Sequence, residues 1–340
     1  MFNQLPIDSH DMHVWRDERK TLFNRVSIWC KKNNINFTID PNIINLPYSS
    51  NKIVQMWLRD LLPPMEYWHE KNKQLQRLGV TMFVLTDNFI NLRDLEFVKF
   101  YSDPTLHAVC GVYQDTLNVN QRPTKLYNCF IQRVESVRQS WFYFLYLKGL
   151  LEKGYVSFLL YQLADYSLLT GLELFDYIHH NYQLDQIPHF HQAYIELRDQ
   201  VPYRNFLETL DLTPLIEDSK YSLVLDTFAT DPATDRWLVT EKTIRAMCFP
   251  SIPLLFLQNH TVEKLKSIGF QIDNHDKIDV APWPQRQQML LDILEQDSID
   301  FDDTAAYNRS MHNREICAKL QQQYHHATYF DEFFTQVLDH

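Results

Sequence analysis

YSLVLDTFATDPATDRWLVTEKTIRAMCFPSIPLLFLQNHTVEKLKSIGF, residues Tyr221–Phe270, decides the fold. Tyr221–Phe228 is apolar up to an acid at Asp226, which reads as a strand ending in a carboxylate. A polar loop follows. Thr240-Glu241-Lys242 then opens a helix over Glu241–Cys248 that Pro250 stops. Ile252–Leu257 (IPLLFL) is apolar without alternation, the pattern of a strand buried on both faces of a parallel sheet. Thr261 is placed to cap a helix over Val262–Ile268, whose stripe is Val262, Leu265 and Ile268, and Gly269 closes it. Strand and helix alternate, so the class is α/β.

The same alternation extends outward. Upstream, Leu126–Ile131 and Tyr155–Tyr161 read as strands, and Val134, Val137, Trp141, Phe144, Leu145 and Leu151 recur at helical spacing between them. Leu172–His180 reads as a helix, and downstream Pro284 starts another through Leu294, a favoured place for proline. A last helix is expected over Ile316–Tyr324. The first third carries strands at Asn34–Asp40, Val80–Phe89 and His107–Tyr113, with a helix at Met65–Leu78 that Gly79 ends in a left-handed cap. Gln114–Thr124 is polar, without period, and contains a proline, so it is taken as a linker. The division expected is 1–123 and 124–340, two doubly wound domains in series. No repeat of solenoid period is present.

Bulk properties narrow the function. Of 340 residues 45% are hydrophobic and 22% charged, a globular balance that excludes a disordered chain. No apolar run approaches the ~18 residues that span a bilayer. The N-terminal MFNQLPIDSHDMHVWRDERK has no apolar core of a signal peptide, so a cytoplasmic location is expected, the host cytoplasm for a viral chain. Five scattered cysteines form no C-x-x-C pair and read as small buried hydrophobes. The net charge of −11 lowers the expectation of nucleic acid as main ligand, since phosphate binding draws on cations. Six glycines give no G-x-G-x-x-G and no Walker loop, so phosphate must be met by helix ends and basic side chains.

Asp226, Thr240, Glu241, Lys242 and Arg245 form the constellation best suited to a nucleotide diphosphate. A carboxylate can accept from ribose hydroxyls while a cation and a helix end offset phosphate charge. A capped surface helix with an ordinary charge pair would show the same residues. The order strand-Asp-Thr, Thr-Glu-Lys, helix, Pro-leading strand, Leu-Lys-x-x-Gly-Phe resembles the donor half of fucosyltransferase-like glycosyltransferases and related viral and phage glycosyltransferase-like proteins. That resemblance implies a ribose contact for Glu241 and a phosphate contact for Lys242. It extends to Lys125–Trp141 (KLYNCFIQRVESVRQSW), similar to the segment that opens the family's donor domain, where it places Arg133 and Arg138 near the phosphates. It continues faintly through Asp273–Arg286 and Asn308–Asn313 and covers roughly 125–315. Gln132-Arg133 stands where the family has Asn-Arg, and the family's proline between Arg133 and Arg138 is missing. On residue pattern alone, arginines on a long helix equally read as a solvated face.

The base is sought in the first domain. Asp87 ends the Val80–Phe89 strand, where the carboxyl ends of parallel strands meet ligands, and it can take a proton from an acceptor hydroxyl; an Asp capping the next turn is the competing reading. Asp8-Ser9-His10-Asp11-Met12-His13 lacks further ligands for a metal, His189-Phe190-His191 has no partner acid, and Asp300-Phe301-Asp302 lies in a polar run rather than after a buried strand. No metal and no cofactor is therefore expected, and Arg and Lys would stabilise the departing diphosphate. No G-x-S-x-G supports a nucleophilic hydrolase. The aromatic run Trp141–Tyr146 reads as core.

The expectation is a GT-B-like fold of two Rossmann-type domains with a central cleft, the donor against 125–310 and the acceptor against 1–120. It would move a sugar from a nucleotide diphosphate sugar to a hydroxyl, of a glycan or of a hydroxylated base in phage DNA. The alternative is a non-catalytic nucleotide or nucleic-acid binding protein of the same fold.

Overall fold

A computed structural model describes residues 13–39, 50–58, 62–103, 122–131, 138, 141, 144–145, 148–158, 213–226, 229, 235–273, 275–326 and 328–339. In chain order the elements are α1 (His13–Lys32), β1 (Asn36–Thr38), β2 (Lys52–Trp57), α2 (Met65–Leu78), β3 (Thr81–Thr86), β4 (Phe89–Ile90), β5 (Val98–Ser102), β6 (Lys125–Ile131) and β7 (Gly154–Phe158). They continue as α3 (Thr213–Glu217), β8 (Ser219–Leu225), β9 (Arg236–Trp237), α4 (Glu241–Met247), β10 (Ile252–Phe256), α5 (Thr261–Ser267), α6 (Asp276–Asp279), α7 (Trp283–Gln296), α8 (Asp303–His325) and α9 (Asp331–Asp339).

The chain forms two compact units that are not contiguous blocks. The first comprises Met1–Val112, Ala233–Glu241 and Cys317–His340; the second comprises Tyr113–Pro232 and Lys242–Ile316. This differs from a single division at 123/124, because the segment before α4 and the C-terminal part of α8 group with the first unit. Neither return is marked by a change in composition.

Among the described residues each unit holds a four-stranded parallel sheet. In the first the order is β1-β2-β3-β5, with Val54 opposite Phe83 and Phe83 opposite Lys99. Side chains alternate across a strand, so β2 and β3 bury both faces. Ile53, Met82 and Val84 pack with Trp68 and Leu75 of α2, whereas Val54, Phe83 and Leu85 pack with Val26 and Cys30 of α1 and Phe333 and Val337 of α9. Helix α2 follows the expectation residue for residue, and Gly79 at φ 63° donates its N–H to the Gln76 carbonyl. A β-carbon there would cost about 1 kcal/mol of strain.

The expected strand over Val80–Phe89 is two strands. The chain turns at Asp87-Asn88, where Asn88 binds back through its N–H and Nδ2 to the Thr86 hydroxyl (3.2 and 3.0 Å). The following β4 then pairs antiparallel with β9, inside the same unit.

In the second unit the order is β10-β8-β6-β7, all parallel. One face buries Tyr127, Cys129, Leu223, Leu225, Leu254 and Phe256 against Trp141, Leu145, Leu290 and Leu294. Of the run Trp141–Tyr146, the described residues Trp141, Phe144 and Leu145 are core. On the opposite face Asn128, Ser222 and Ser251 form a buried hydrogen-bonded row. Gly154 opens β7 where an added β-carbon would lie 2.6 Å from the Tyr127 ring, so only glycine allows that approach.

The cap of α5 departs from the expectation. Thr261 is the first helical residue, not the cap, and the Asp279 carboxylate accepts from the N–H groups of Val262 (3.1 Å) and Glu263 (3.2 Å). A carboxylate satisfies two of the helix's open donors and complements its dipole, which one hydroxyl cannot do. Asp302 likewise accepts from Thr304 and Ala305 and starts α8, so it serves a helix start. The cysteines among the described residues (Cys30, Cys129, Cys248 and Cys317) are buried thiols. Burial pushes the Cys30 and Cys129 thiols up to about 12, which makes them inert. Among the described residues no helix is long and apolar enough to cross a membrane. The expectations on 107–113, 172–180, Asp8–Met12 and His189–His191 lie outside the described residues.

Candidate functional site

Asp226 immediately follows β8 and is 2% exposed. Its N–H donates to the Phe256 carbonyl at the end of β10 (3.1 Å), so the carboxyl ends of β8 and its edge neighbour β10 are locked side by side. Ligands of open α/β sheets bind outside such ends. Two buried arginines converge there. Arg138, 4% exposed, donates Nε to the Leu225 carbonyl (3.2 Å). Arg286, 2% exposed, donates one terminal nitrogen to the Leu257 carbonyl and the other to the Ala229 carbonyl (2.7 Å). One guanidinium therefore ties the loop after Asp226 to the segment after β10.

Burial pulls the Arg286 guanidinium down to about 10, still protonated at neutral pH. A buried cation hydrogen-bonded to carbonyls keeps a positive potential at the strand ends, where the low dielectric screens it little. The resemblance implied a place near the phosphates for Arg138 and named Arg286 only as the end of its faint continuation, with no role. The signal was present: Arg286 shares the helical stripe of Leu290 and Leu294, so a cation stands on the core face of α7.

Helix α4 carries the Thr-Glu-Lys motif. Thr243, Ile244, Ala246 and Met247 face the interior, while Glu241, Lys242 and Arg245 are half-buried on one side. Spacing of one and four residues brings these three to one face. Thr240 precedes the helix and is also half-buried. Thr240 and Glu241 belong to the first compact unit, Lys242 and Arg245 to the second. Arg133 lies outside the described residues.

Asp87 follows β3 in the first unit and is 2% exposed. Asn88 donates Nδ2 to its carboxylate (3.2 Å), and the Asn88 side-chain oxygen accepts from the Leu62 N–H (3.1 Å). Two residues on, β4 pairs with β9: Phe89 is opposite Trp237, Ile90 opposite Arg236, and the Asn91 N–H donates to the Asp235 carbonyl (2.7 Å). The segment leading to Thr240-Glu241 is thereby paired, within one unit, with the segment leaving Asp87. Strand β9 was not anticipated, though Trp237-Leu238-Val239 is an apolar triplet in a polar loop, and all three are buried. No cluster of His, Cys, Asp or Glu fit to hold a metal ion occurs among the described residues.

Neither the family models nor the curated proteins give a match to this chain. Among solved structures it is similar to a mutant of BGT from phage T4 in complex with UDP-glucose. That match has a TM-score of 0.36 and 10% identity, over 89% of this chain and 81% of that one.

Proposed function

We propose that this protein is a GT-B-like glycosyltransferase of two Rossmann-type halves that moves a sugar from a nucleotide diphosphate sugar to a hydroxyl acceptor. The observation that carries the reading is the carboxyl edge of the second sheet. There Arg138 and Arg286 bury two cations beside Asp226, and the chain runs on to the Glu241-Lys242-Arg245 face. This arrangement suits an anionic diphosphate, with carboxylates available to ribose hydroxyls. The resemblance of the Thr240-Glu241-Lys242 segment to fucosyltransferase-like donor domains supports the same assignment.

In this reading the donor binds against residues 125–310. Glu241 and Asp226 accept from the ribose, and Lys242, Arg245, Arg138 and Arg133 offset phosphate charge. Asp87 takes the proton of the acceptor hydroxyl as the new bond forms, and the nucleoside diphosphate leaves with its charge held by the cations, without metal or cofactor. The acceptor is a hydroxyl of a glycan or of a hydroxylated base in phage DNA, and the site of action is the cytoplasm.

The test is thermal shift and slow donor hydrolysis over a panel of UDP-linked, GDP-linked and pentose donors, with and without chelator. A stabilising donor hydrolysed despite chelator is expected, and Glu241→Ala should weaken its binding about tenfold or more without lowering the melting temperature. Binding without hydrolysis would favour a non-catalytic nucleotide-binding protein. Unchanged donor affinity in Glu241→Ala would remove the assignment.

A further inference from the structure

Helix α4 has seven residues. Two turns do not hold their own geometry in water, and the last carbonyls of any helix lack intrahelical donors. Many helices close this end with a left-handed residue, usually glycine. Here none of the positive-φ residues falls between Glu241 and Ile252 among the described residues, and the chain continues as Cys248-Phe249-Pro250.

The carbonyls are met instead from α8, within the second unit. Asn313 donates Nδ2 to the Met247 carbonyl (2.9 Å), and Arg314 donates Nε to the Cys248 carbonyl (2.8 Å). Asn313 is fully buried. Its oxygen accepts from the Gln271 N–H (2.8 Å) and its amide also donates to the Gln271 carbonyl (3.0 Å), which joins the end of α4, the segment after α5 and α8. The Arg314 guanidinium lies 5.3 Å from the centre of the buried Phe249 ring, and that of Arg245 lies 6.0 Å from the same ring.

We propose that Asn313 and Arg314 are positioning residues that fix the rotation of α4 about its axis. They thereby set where Glu241, Lys242 and Arg245 present themselves to the donor. The inference rests on the donor-site reading given above. Neither residue touches the nucleotide; each acts through the carbonyls of Met247 and Cys248.

The test compares the whole chain with its Arg314→Met and Asn313→Asp variants. Methionine keeps a long apolar side chain beside Phe249 but donates nothing, and aspartate keeps the acceptor for the Gln271 N–H while losing the donors to the Met247 and Gln271 carbonyls. Amide exchange of Glu241–Met247 should quicken about tenfold in both variants, with β8 unchanged, since each loses one hydrogen bond at the helix end. Affinity for UDP and GDP should fall by a similar factor, and Arg314→Lys should restore part of it.

In a Glu241→Ala background the Arg314→Met effect on affinity should shrink below about twofold, because the group being positioned is gone. A merely structural role would lower the melting temperature and add fully to Glu241→Ala. Unchanged exchange in α4, or full additivity, overturns the proposal. A wild-type chain that binds neither nucleotide removes the donor-site reading, and with it the orienting role; the exchange arm then still decides whether α8 holds α4.

Discussion

Val84-Leu85-Thr86-Asp87 in the first unit and Leu223-Val224-Leu225-Asp226 in the second end their strands alike: an apolar run, then an aspartate 2% exposed. Their surroundings differ. The hydrogen bonds described around Asp87 come from neutral groups. The Thr86 hydroxyl accepts from Asn88, Asn88 donates to Asp87, and the Ser102 hydroxyl donates to the Asn88 carbonyl. Beside Asp226 the strand ends are held by guanidinium groups of Arg138 and Arg286. The hydrogen bonds that fix the two strand ends thus differ in kind, neutral groups at one and guanidinium groups at the other. A carboxylate held by an amide suits proton removal from a hydroxyl, whereas buried guanidinium groups suit an anion. The comparison teaches that position on a sheet locates a site, and that side chains arriving from distant helices decide its chemistry.

The sharpest way to break the comparison is to remove each carboxylate's charge. Asp87→Asn should lower kcat by ~10²–10⁴ with donor affinity kept, the range of a lost general base. Asp226→Asn should weaken donor binding about tenfold, the cost of a charge-assisted hydrogen bond, with kcat at saturating donor within a few-fold of wild type. Steady-state kinetics with calorimetric donor binding separates the two. Equal loss of donor affinity in both variants would end the division of labour.

Acidification should separate the two edges next. His275 lies behind β10, with Nε2 accepting from the Leu255 N–H (3.0 Å) and Nδ1 donating to the Asp273 carbonyl (2.7 Å). Burial lowers it from 6.5 to about 4, so the folded chain keeps it neutral. Between those values the unfolded chain binds the proton and the folded chain does not. Stability is therefore full above pH 6.5 and falls as the pH drops towards 4, by up to about 3 kcal/mol. Hydrogen exchange at pH 4.5 should show β8 and β10 opening before β2 and β3. His275→Gln keeps an acceptor for Leu255 and should flatten urea stability over that window. An unchanged slope in the variant would place the acid sensitivity elsewhere.

What was legible in the sequence follows the same line between position and chemistry. Helix α2, the strands β6 and β10 and the place of Asp226 come from local pattern: a 3.6 period, a glycine stop, an unbroken apolar run. Strands β2 (KIVQMW) and β5 (VKFYS) were missed because Lys52, Gln55 and Lys99 interrupt the apolar run, although Gln55 itself is buried. Helices α1 and α9 were missed as well, and both pack on the first sheet. Arg286, Asn313 and Arg314 act on carbonyls tens of residues away, so no local window contains both partners; Asn313 and Met247 are 66 positions apart. The return of Ala233–Glu241 and Cys317–His340 to the first unit is likewise a matter of long-range packing.

The smallest effect sharpens the cationic edge itself. Asp279 is the carboxylate that caps α5, and burial raises its pKa while the N–H groups of Val262 and Glu263 pull it back down. These opposed effects limit its net worth. Asp279→Ala should cost about 1 kcal/mol, since the lost cap is partly offset by no longer burying a charge. Asp279→Asn keeps one acceptor without the charge and should cost only a few tenths of a kcal/mol. Asp279 also bears on Arg286, whose pKa it raises against the effect of burial. If the cation at the strand ends depends on this acid, Asp279→Asn should weaken donor binding more than it weakens urea stability. If α5 alone depends on it, the two losses should match, and Arg286 would be held by the carbonyls of Leu257 and Ala229 without help from a counter-charge.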